Sequence, residues 1–462
     1  TSADAAVRAH VNALQPMLLA MMDRTEEAAD LGREALARVP TGQPFADSVL
    51  CNVMAHVMGV LGERAQAQRL LDAARRGQGD GFNRMYTESV EGLLDLQQGR
   101  LRQASARFRL ALGMSAAPGA ALAWQPAHGN AWAGVLYAGA VYEAHQLAQA
   151  EHLLNVYLPL ARDVGLPDHM ILSHTMRARI AHQRGDLDAA LLAITELEHL
   201  GHQRQLRRVV ASARLERARL LVLRRQPEAA AQELDRADDP AVWPLVRQRQ
   251  QSAHDVDDIV IGRLRWQAHF GDAGAAARAA VALLAEADGQ QRHRRALTLR
   301  LLQALALQRA GDAVAALDSA TAAFQQASAE GFVRQLLDEG CAIAPLVQRC
   351  RTALHEAPGA RPDPILGETL ERLAQAWPAA DAADPGGAAA GDGPAPGAEP
   401  LTRKEIRVLQ LLAEGYSNSV MAEKLFVSDS TVRTHLRNIN LKLHARSRTQ
   451  AVALARRLGV IG

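Results

Sequence analysis

The stretch Gln183-Arg184-Gly185-Asp186-Leu187-Asp188-Ala189-Ala190 decides the fold, because its pattern recurs along most of the chain. A turn residue, here Gly185, is followed five positions later by a small residue, Ala190. The same step occurs at Gly62/Ala67, Gly99/Ala104, Gly271/Ala276 and Gly311/Ala316, and in weaker form at Asp23/Ala28, His145/Ala150 and Arg225/Ala230. Successive copies are 37 to 46 residues apart, which corresponds to two helices per repeat.

These repeats predict an all-α fold in which helix pairs stack into an α-solenoid over residues 1–377. Glycine accepts the left-handed conformation that ends the first helix of a pair, and alanine lets the second helix cross closely. The segments resemble tetratricopeptide-type repeats, and one irregular helical bundle is the alternative. Stacked repeats form extended concave surfaces, which usually hold a peptide or a small ligand.

Residues 378–400 interrupt the repeat pattern. They comprise nine Ala, five Gly, five Pro and four acidic residues, with no base, aromatic or branched aliphatic residue. Such a composition cannot bury enough apolar surface to offset the entropy lost on ordering. A flexible linker is therefore expected between residues 1–377 and a C-terminal domain at 401–462.

Charge is divided unevenly between these two parts. Residues 401–462 contain eleven Lys and Arg against four acids, a net charge of +7, whereas the first 400 residues carry −5. A small basic unit joined to a mildly acidic body is typical of a nucleic-acid-binding protein. The expected partner of the C-terminal domain is double-stranded DNA.

Cysteine usage and hydropathy bear on the cellular compartment. Cys51, Cys341 and Cys350 show no CxxC spacing and fit reduced thiols of the cytosol. No apolar run approaches 18 residues, and the first residues lack a signal-peptide pattern. We therefore expect a soluble, cytoplasmic protein with no membrane partner. The chain begins without Met and inside a repeat, which indicates a part of a longer protein.

Residues 401–462 predict a four-helix helix-turn-helix domain. Capping boxes at Thr402–Glu405 and Ser447–Gln450 begin its first and fourth helices. The second helix turns Met421, Ala422 and Leu425 inward, and Ser428 caps the third. In the third helix an apolar stripe for the core is formed by four residues at steps of four, three and four, namely Val432, Leu436, Ile439 and Leu443.

The opposite face of the third helix carries the chemistry of a major-groove reader. It presents Arg433, Thr434 and Arg437, two arginines one turn apart with a short polar group between them. Arginine can bond both O6 and N7 of a guanine. We therefore expect base contacts from these three residues. An ordinary helical domain with a solvated basic face is the alternative.

The C-terminal residues resemble the LuxR-type (GerE-type) DNA-binding domain. The motifs that carry the resemblance are Leu401-Thr402, Glu405, Gly415, Ser417-Asn418, Ala422, Leu425, Ser428, Thr431-Val432, His435, Asn438-Ile439, Lys442-Leu443, Arg446-Ser447-Arg448 and Ala451-Val452. The resemblance implies base contacts at the three positions named above. It also implies contacts with the DNA backbone from Ser417, Asn418, Thr431, His435, Lys442, Arg446 and Arg448.

The preceding residues resemble the sensors of large MalT-like regulators. Glu330-Gly331-Phe332-Val333-Arg334 and Leu337-Asp338-Glu339-Gly340 are similar to the segment that closes such a sensor. Members of this group normally carry an ATPase domain, but no GxxxxGK[ST] motif occurs in the chain. Neither a nucleophile–base arrangement nor a metal-ligand set is evident. No enzymatic activity, no metal and no cofactor are expected for this chain.

Aromatic residues are concentrated in one short stretch of a chain that has few of them. Trp124, Trp132, Tyr137 and Tyr142 could form a stacking surface for an effector, which the MalT-like resemblance would make a sugar. Bulky filling of a junction between repeats is the alternative interpretation. The leading functional hypothesis is a transcription activator that senses a small molecule or a protein and self-associates on DNA. The alternative is a protein-interaction scaffold located on DNA by its C-terminal domain.

Overall fold

A computed structural model of the chain describes residues 2–76, 81–115, 128–164, 166–356, 363–376 and 403–457, the last range with gaps at 414–415, 417, 419–420, 423–431, 433–434, 437–438, 441–442, 444 and 446. The chain divides into two compact units. One comprises Thr1–Gln183 with Asp188–Ala383, and the other Arg184–Leu187 with Asp384–Gly462. The predicted linker at 378–400 lies outside the described residues.

The first unit is built from α-helices, as predicted. Their bounds are α1 Ser2–Met21, α2 Thr25–Leu36, α3 Pro44–Val60, α4 Arg64–Arg76, α5 Gly81–Gln97, α6 Leu101–Ser115, α7 His128–Glu143, α8 Leu147–Val164, α9 Pro167–Gln183, α10 Leu187–Gln203, α11 Arg207–Leu223, α12 Pro227–Ala237, α13 Trp243–Gln248, α14 Ile259–His269, α15 Ala273–Gly289, α16 His293–Ala310, α17 Ala313–Glu330, α18 Arg334–Leu337, α19 Ala344–Glu356 and α20 Pro364–Ala376. Short 3₁₀ turns lie at Ser252–His254 and Cys341–Ile343.

The turns between paired helices follow the repeat pattern. Backbone φ is positive at seven of the eight predicted turn residues: Asp23, Gly62, Gly99, His145, Gly185, Arg225 and Gly311. Gly271 is the exception and was predicted wrongly: its φ is not positive, and its backbone N–H still bonds the carbonyl four residues earlier, that of Gln267, at 3.0 Å. Left-handed turns also occur at Gln205 and Gln291, between successive pairs, where no glycine marks them.

The small residues that follow these turns lie at the contacts between paired helices. All eight predicted alanines have no exposed surface: Ala28, Ala67, Ala104, Ala150, Ala190, Ala230, Ala276 and Ala316. A larger side chain at such a position would separate two helices that pack closely. The prediction of stacked, tetratricopeptide-like helix pairs is confirmed.

Residues 331–343 lie along the first helices of four successive pairs. The backbone N–H of Val333 donates to the carbonyl of Glu143 in α7 at 2.9 Å, and Arg334 donates to Gln183 of α9 at 3.0 Å. Arg219 of α11 donates to the carbonyl oxygen of Asp338 at 2.7 Å. We call the layer of first helices the first-helix surface. Residues 331–343 therefore cover this surface at the C-terminal ends of α7, α9, α11 and α14.

A second segment, residues 238–258, covers another part of this surface. The carbonyl of Val60 in α3 accepts from the backbone N–H of Gln250 at 2.6 Å. Asp168 of α9 accepts from the backbone N–H of Ala253 at 3.0 Å. Among the described residues, these two segments leave the area between α1 and α9 uncovered.

The second unit contains helices at both ends of the C-terminal domain, α21 Arg403–Ala413 and α22 Arg448–Arg457. Between them, the described positions 432, 435–436 and 439–440 are helical. Across all the residues that the structure describes, no helix combines the length and the apolar character needed to cross a bilayer.

Candidate functional site

The apolar stripe of the third C-terminal helix lies in the core of its domain. Val432 and Ile439 have no exposed surface, and Leu436 and Leu443 pack partly buried against the same cluster. The same core cluster includes Met421, Leu409 of α21 and Ala455 of α22. The predicted inward face of this helix is confirmed.

Three of the residues expected to contact the DNA backbone are described, and two of them meet. Asn418, His435 and Arg448 are each half-buried. Arg448 donates from Nη2 to Oδ1 of Asn418 at 3.0 Å, although the two residues are 30 positions apart. This bond ties the start of α22 to the start of the second helix of the domain. The other predicted DNA-contacting residues, Ser417, Thr431, Arg433, Thr434, Arg437, Lys442 and Arg446, lie outside the described residues.

The fourth helix of the domain begins with the predicted cap. The hydroxyl oxygen of Ser447 accepts a hydrogen bond from the backbone N–H of Gln450 at 3.1 Å. Arg448 therefore stands in the first turn of α22, where backbone N–H groups and the helix dipole favour an anion. A phosphate placed there would meet both the guanidinium group and the helix terminus. Thr402, the cap expected for the first helix, lies outside the described residues.

A cavity of about 330 Å³ opens on the first-helix surface between α1 and α9. Its lining residues come from α1, α3, α5, α7, α9 and the residue before α9: His10, Ala13, Leu14, Met17, Ala20, Met21, Phe45, Ala46, Val49, Asn52, Val53, His56, Phe82, Tyr86, Val90, Ala131, Trp132, Leu166 and His169. Its size falls in the range of small-molecule sites, about 300–1,000 Å³. The chain segments that cover the rest of this surface leave the cavity open.

Trp132 is the centre of an aromatic cluster in the wall of this cavity. Its ring stacks on Tyr86 with centroids 5.1 Å apart, and it meets His56 and His169 edge to face at 6.0 Å each. The ring of Phe82 extends the cluster, 5.0 Å from Tyr86. Phe82 is 42% exposed, so it stands at the open side of the cavity.

The structure separates the four aromatic residues that the sequence places together. Trp132 lines the cavity, whereas Tyr142 lies in a buried polar network described below. Tyr137 packs half-buried in a hydrophobic cluster, where Gln149 donates to its hydroxyl at 3.5 Å. Trp124 lies outside the described residues. The remaining aromatic lining, Phe45, Phe82 and Tyr86, was not predicted, because it comes from other helices and carries no local motif.

A buried polar network joins residues 331–343 to the first helices. Asp338 is 8% exposed, and its carboxylate accepts from the hydroxyl of Tyr142 at 2.8 Å and from Arg179 at 3.3 Å. Arg334 donates to the same carboxylate and lies over the Tyr142 ring, 5.3 Å from its centroid. Burial acts to raise the pKa of Asp338, but Arg334 and Arg179 hold it below its usual range.

The network continues through a second buried pair. Arg265 donates two hydrogen bonds of 2.8 Å to the carboxylate of Glu339, and each side chain is less than 5% exposed. Every carboxylate named here is matched by guanidinium groups, which is the condition for keeping charges in a protein interior. The arrangement holds residues 331–343 in place and offers no nucleophile–base pair.

Two family profiles match the chain. The profile described as "MalT-like TPR region" matches residues 9–353, which is most of the chain, and TPR stands for tetratricopeptide repeat. The chain belongs to the MalT-like TPR family. Residues 399–455 of this MalT-like chain match "Bacterial regulatory proteins, luxR family", so both resemblances inferred from the sequence are confirmed.

Curated relatives match the MalT-like chain in separate parts. The uncharacterized transcriptional regulatory protein YxjL of Bacillus subtilis is 53% identical over 64 residues, which are 14% of this chain and 29% of that protein. The serine/threonine-protein kinase PknK of Mycobacterium tuberculosis is 27% identical over 344 residues, 74% of this chain and 30% of that protein. The MalT-like chain thus spans less than a third of the length of either relative.

A solved structure shares the fold of the MalT-like repeat region. It is the crystal structure of a Rap protein complexed with competence and sporulation factor, with a TM-score of 0.55 and 14% sequence identity. The similarity covers 80% of this chain and all of that one. Together, the family matches support DNA-binding transcription regulation as the functional class.

Proposed function

We propose that this MalT-like chain is a sequence-specific transcription activator whose C-terminal domain reads the major groove and whose repeat region senses a signal. The observation that carries the DNA-binding part is the burial of Val432 and Ile439 in the domain core. In an α-helix, residues one and five positions after a buried residue lie away from the core. Arg433 and Arg437 stand at those positions relative to Val432.

Phosphate contacts would hold this helix in register. Asn418, His435 and Arg448 belong to the set assigned to the DNA backbone, and the hydrogen bond between Arg448 and Asn418 orients both side chains. The net charge of +7 on residues 401–462 would attract DNA of any sequence. Specificity would then come from Arg433, Thr434 and Arg437 at base edges.

Substitutions in the two groups should change DNA binding in different ways. Duplexes selected by the full chain from a random library supply a specific target, and scrambled versions supply the comparison. Arg433→Ala and Arg437→Ala should each reduce the preference for the selected duplex by about 5- to 150-fold, because a bidentate contact contributes about 1–3 kcal/mol. Lys442→Ala and Arg446→Ala should weaken binding to both duplexes equally. They should also reduce the slope of log affinity against log salt concentration by about 1. Fluorescence anisotropy over a range of salt concentrations measures both quantities.

Arg407→Ala serves as the matched control for these variants. Arg407 is an exposed arginine of α21 that donates to Gln410 at 3.2 Å and belongs to neither group. Its removal should leave the preference for the selected duplex unchanged. Equal loss of preference in all four test variants would contradict the assignment of roles.

The chain should bind DNA as two or more copies on paired half-sites. One four-helix domain makes few base contacts, and half-sites one helical turn apart multiply them. Gel-shift titration at protein concentrations well above Kd should therefore give two or more chains per selected duplex. A stoichiometry of one chain per duplex would rule out paired binding.

The sensing part of the proposal is supported by the repeat region. Within the described part of the repeat region, residues 331–343 cover the C-terminal ends of α7, α9, α11 and α14, and a cavity of small-molecule size lies open between α1 and α9. A ligand there would contact five successive helix pairs at once. Binding could then alter the packing of these pairs and the activity of the C-terminal domain.

A further inference from the structure

The cavity between α1 and α9 has a mostly apolar wall. Thirteen of its nineteen lining residues are Ala, Val, Leu, Met or Phe, and none is Lys, Arg, Asp or Glu. A wall without Lys, Arg, Asp or Glu offers no permanently charged partner to an anionic or cationic ligand. Chemical complementarity therefore favours a neutral molecule.

Two polar groups of the wall lie together, whereas a third, His10, stacks on Phe45. His56 and His169 approach Trp132 from two directions, each with its ring centroid 6.0 Å from the indole. His169 is 3% exposed, and within the described part of the chain neither imidazole makes a hydrogen bond. The indole N–H of Trp132 is also buried, and none of the described residues accepts its hydrogen bond. Imidazoles in such surroundings are normally satisfied, so a partner for His56 or His169 is expected at this end of the cavity.

These imidazoles are uncharged at neutral pH. Burial lowers the pKa of His169 to about 3, with Asp168 opposing this effect and His56 adding to it. Burial likewise lowers the pKa of His56. A neutral imidazole has one donor and one acceptor nitrogen, so it can bond a hydroxyl group or donate to a carbonyl oxygen.

We propose that this cavity binds a neutral, mostly apolar molecule that carries a flat ring and one hydroxyl or carbonyl group. The ring would pack among Phe45, Phe82 and Tyr86, and the polar group would bond His56 or His169. The inference deepens the sensing role proposed above and rests on it for its biological meaning. It assigns a ligand class to a site that the sequence identified only through Trp132.

A sugar fits this wall poorly. Each hydroxyl of a sugar needs a partner when it leaves water, and an unmatched one costs about 1–3 kcal/mol. Asn52, the one amide in the lining, is already engaged: its Nδ2 donates to the carbonyl of Asn83 at 3.1 Å, and its Oδ1 accepts from Thr87 at 2.8 Å. The wall therefore offers a ligand's polar groups partners mainly at the end formed by His56 and His169, which are too few for the several hydroxyl groups of a sugar.

Isothermal titration calorimetry on the full chain tests the site with 2-naphthol, naphthalene and glucose as probes. We expect one 2-naphthol to bind per chain, naphthalene to bind about tenfold more weakly for want of one hydrogen bond, and glucose to give no heat of binding. Tighter binding of glucose than of 2-naphthol would overturn the inference, as would the absence of 2-naphthol binding.

Variants locate the binding within the cavity. Ala46→Phe fills the cavity and should abolish 2-naphthol binding. Phe82→Ala removes an exposed part of the wall, so it should weaken binding about tenfold or more without destabilising the core. His169→Phe should remove the advantage of 2-naphthol over naphthalene. Leu192→Ala, at an exposed leucine of α10 outside the cavity, is the control and should bind as the natural chain does. Unchanged binding in both Phe82→Ala and His169→Phe would place the probe elsewhere and refute the site.

The experiment needs no DNA, which separates this inference from the proposed function. If 2-naphthol binds in the cavity but leaves the affinity for a selected duplex unchanged, the site stands and the sensing role fails. If the probe does not bind while Arg437→Ala abolishes sequence preference, the DNA-binding role stands and the ligand class is wrong.

Discussion

Asp338→Ala is expected to lower the free energy of unfolding of the repeat region by about 3–5 kcal/mol, the usual cost of breaking a buried ion pair from one side. The carboxylate of Asp338 accepts from Tyr142, Arg179 and Arg334 in a site that is 8% exposed. Its removal leaves the guanidinium of Arg334 buried without a carboxylate. The same change loosens residues 331–343 from the first helices. Urea unfolding followed by far-UV circular dichroism measures the difference.

An exposed ion pair provides the control for this prediction. Glu368 accepts from Arg372 at 3.0 Å in α20, and their side chains are 74% and 50% exposed. Glu368→Ala should change the free energy of unfolding by less than about 0.5 kcal/mol, because such pairs are well solvated. Asp338→Asn keeps the shape of the side chain, so it should lower the free energy of unfolding by an amount between those of Glu368→Ala and Asp338→Ala. A cost for Asp338→Ala no larger than that for Glu368→Ala would show that the network does not stabilise the fold.

The repeat architecture could be predicted from sequence because its signals are local. A left-handed turn followed five residues later by a buried alanine is a property of one short segment, and it identified seven of eight turns correctly. The prediction failed at Gly271 because glycine accepts left-handed angles without being restricted to them, and here its N–H continues the helical bonding to Gln267. The turns at Gln205 and Gln291 were missed because glutamine gives no sign that it will adopt positive φ.

The candidate ligand site depends on contacts that are distant in sequence. Phe45, Phe82, Trp132 and His169 come from four different helix pairs, and each looks like ordinary core or surface within its own helix. Only the stacking of the pairs brings them together. The sequence could therefore point to Trp132 through aromatic clustering, but it grouped that residue with Tyr142, which the fold directs into the polar network instead.

In the C-terminal domain the helical periodicity was informative because one face must be buried. The four stripe residues from Val432 to Leu443 lie in the core as their spacing required. The hydrogen bond between Arg448 and Asn418 could not be foreseen in the same way, since it joins two helices and depends on side-chain rotamers. The family resemblance named both residues as DNA-backbone contacts without implying that they meet.

Acidification from pH 6.5 to pH 4 is expected to destabilise the repeat region strongly. The folded-state pKa of His169 is lowered to about 3 and that of His269 to about 4, in both cases mainly by burial, whereas an unfolded histidine titrates near 6.5. Below pH 6.5 the unfolded chain therefore binds protons that the folded chain does not, so stability is fully present above this pH and falls as pH drops. The buried carboxyl of Asp168 affects stability at lower pH. Its pKa is lowered to about 2, so the stability that its charged form contributes is lost as pH falls below about 4.

His169→Gln measures how much of this pH dependence comes from the protonation of a single histidine. Each such histidine contributes a slope of about 1.4 kcal/mol per pH unit, or on the order of 3 kcal/mol for His169 by pH 4. The variant should therefore show a free energy of unfolding that falls less steeply between pH 6 and pH 4.5 than that of the natural chain, by about one proton, whatever its stability at pH 7. His152→Gln, at an exposed histidine of α8, should keep the original slope. Urea titrations at several pH values give both slopes, and identical slopes for His169→Gln and the natural chain would mean that His169 is already accessible to protons in the folded protein.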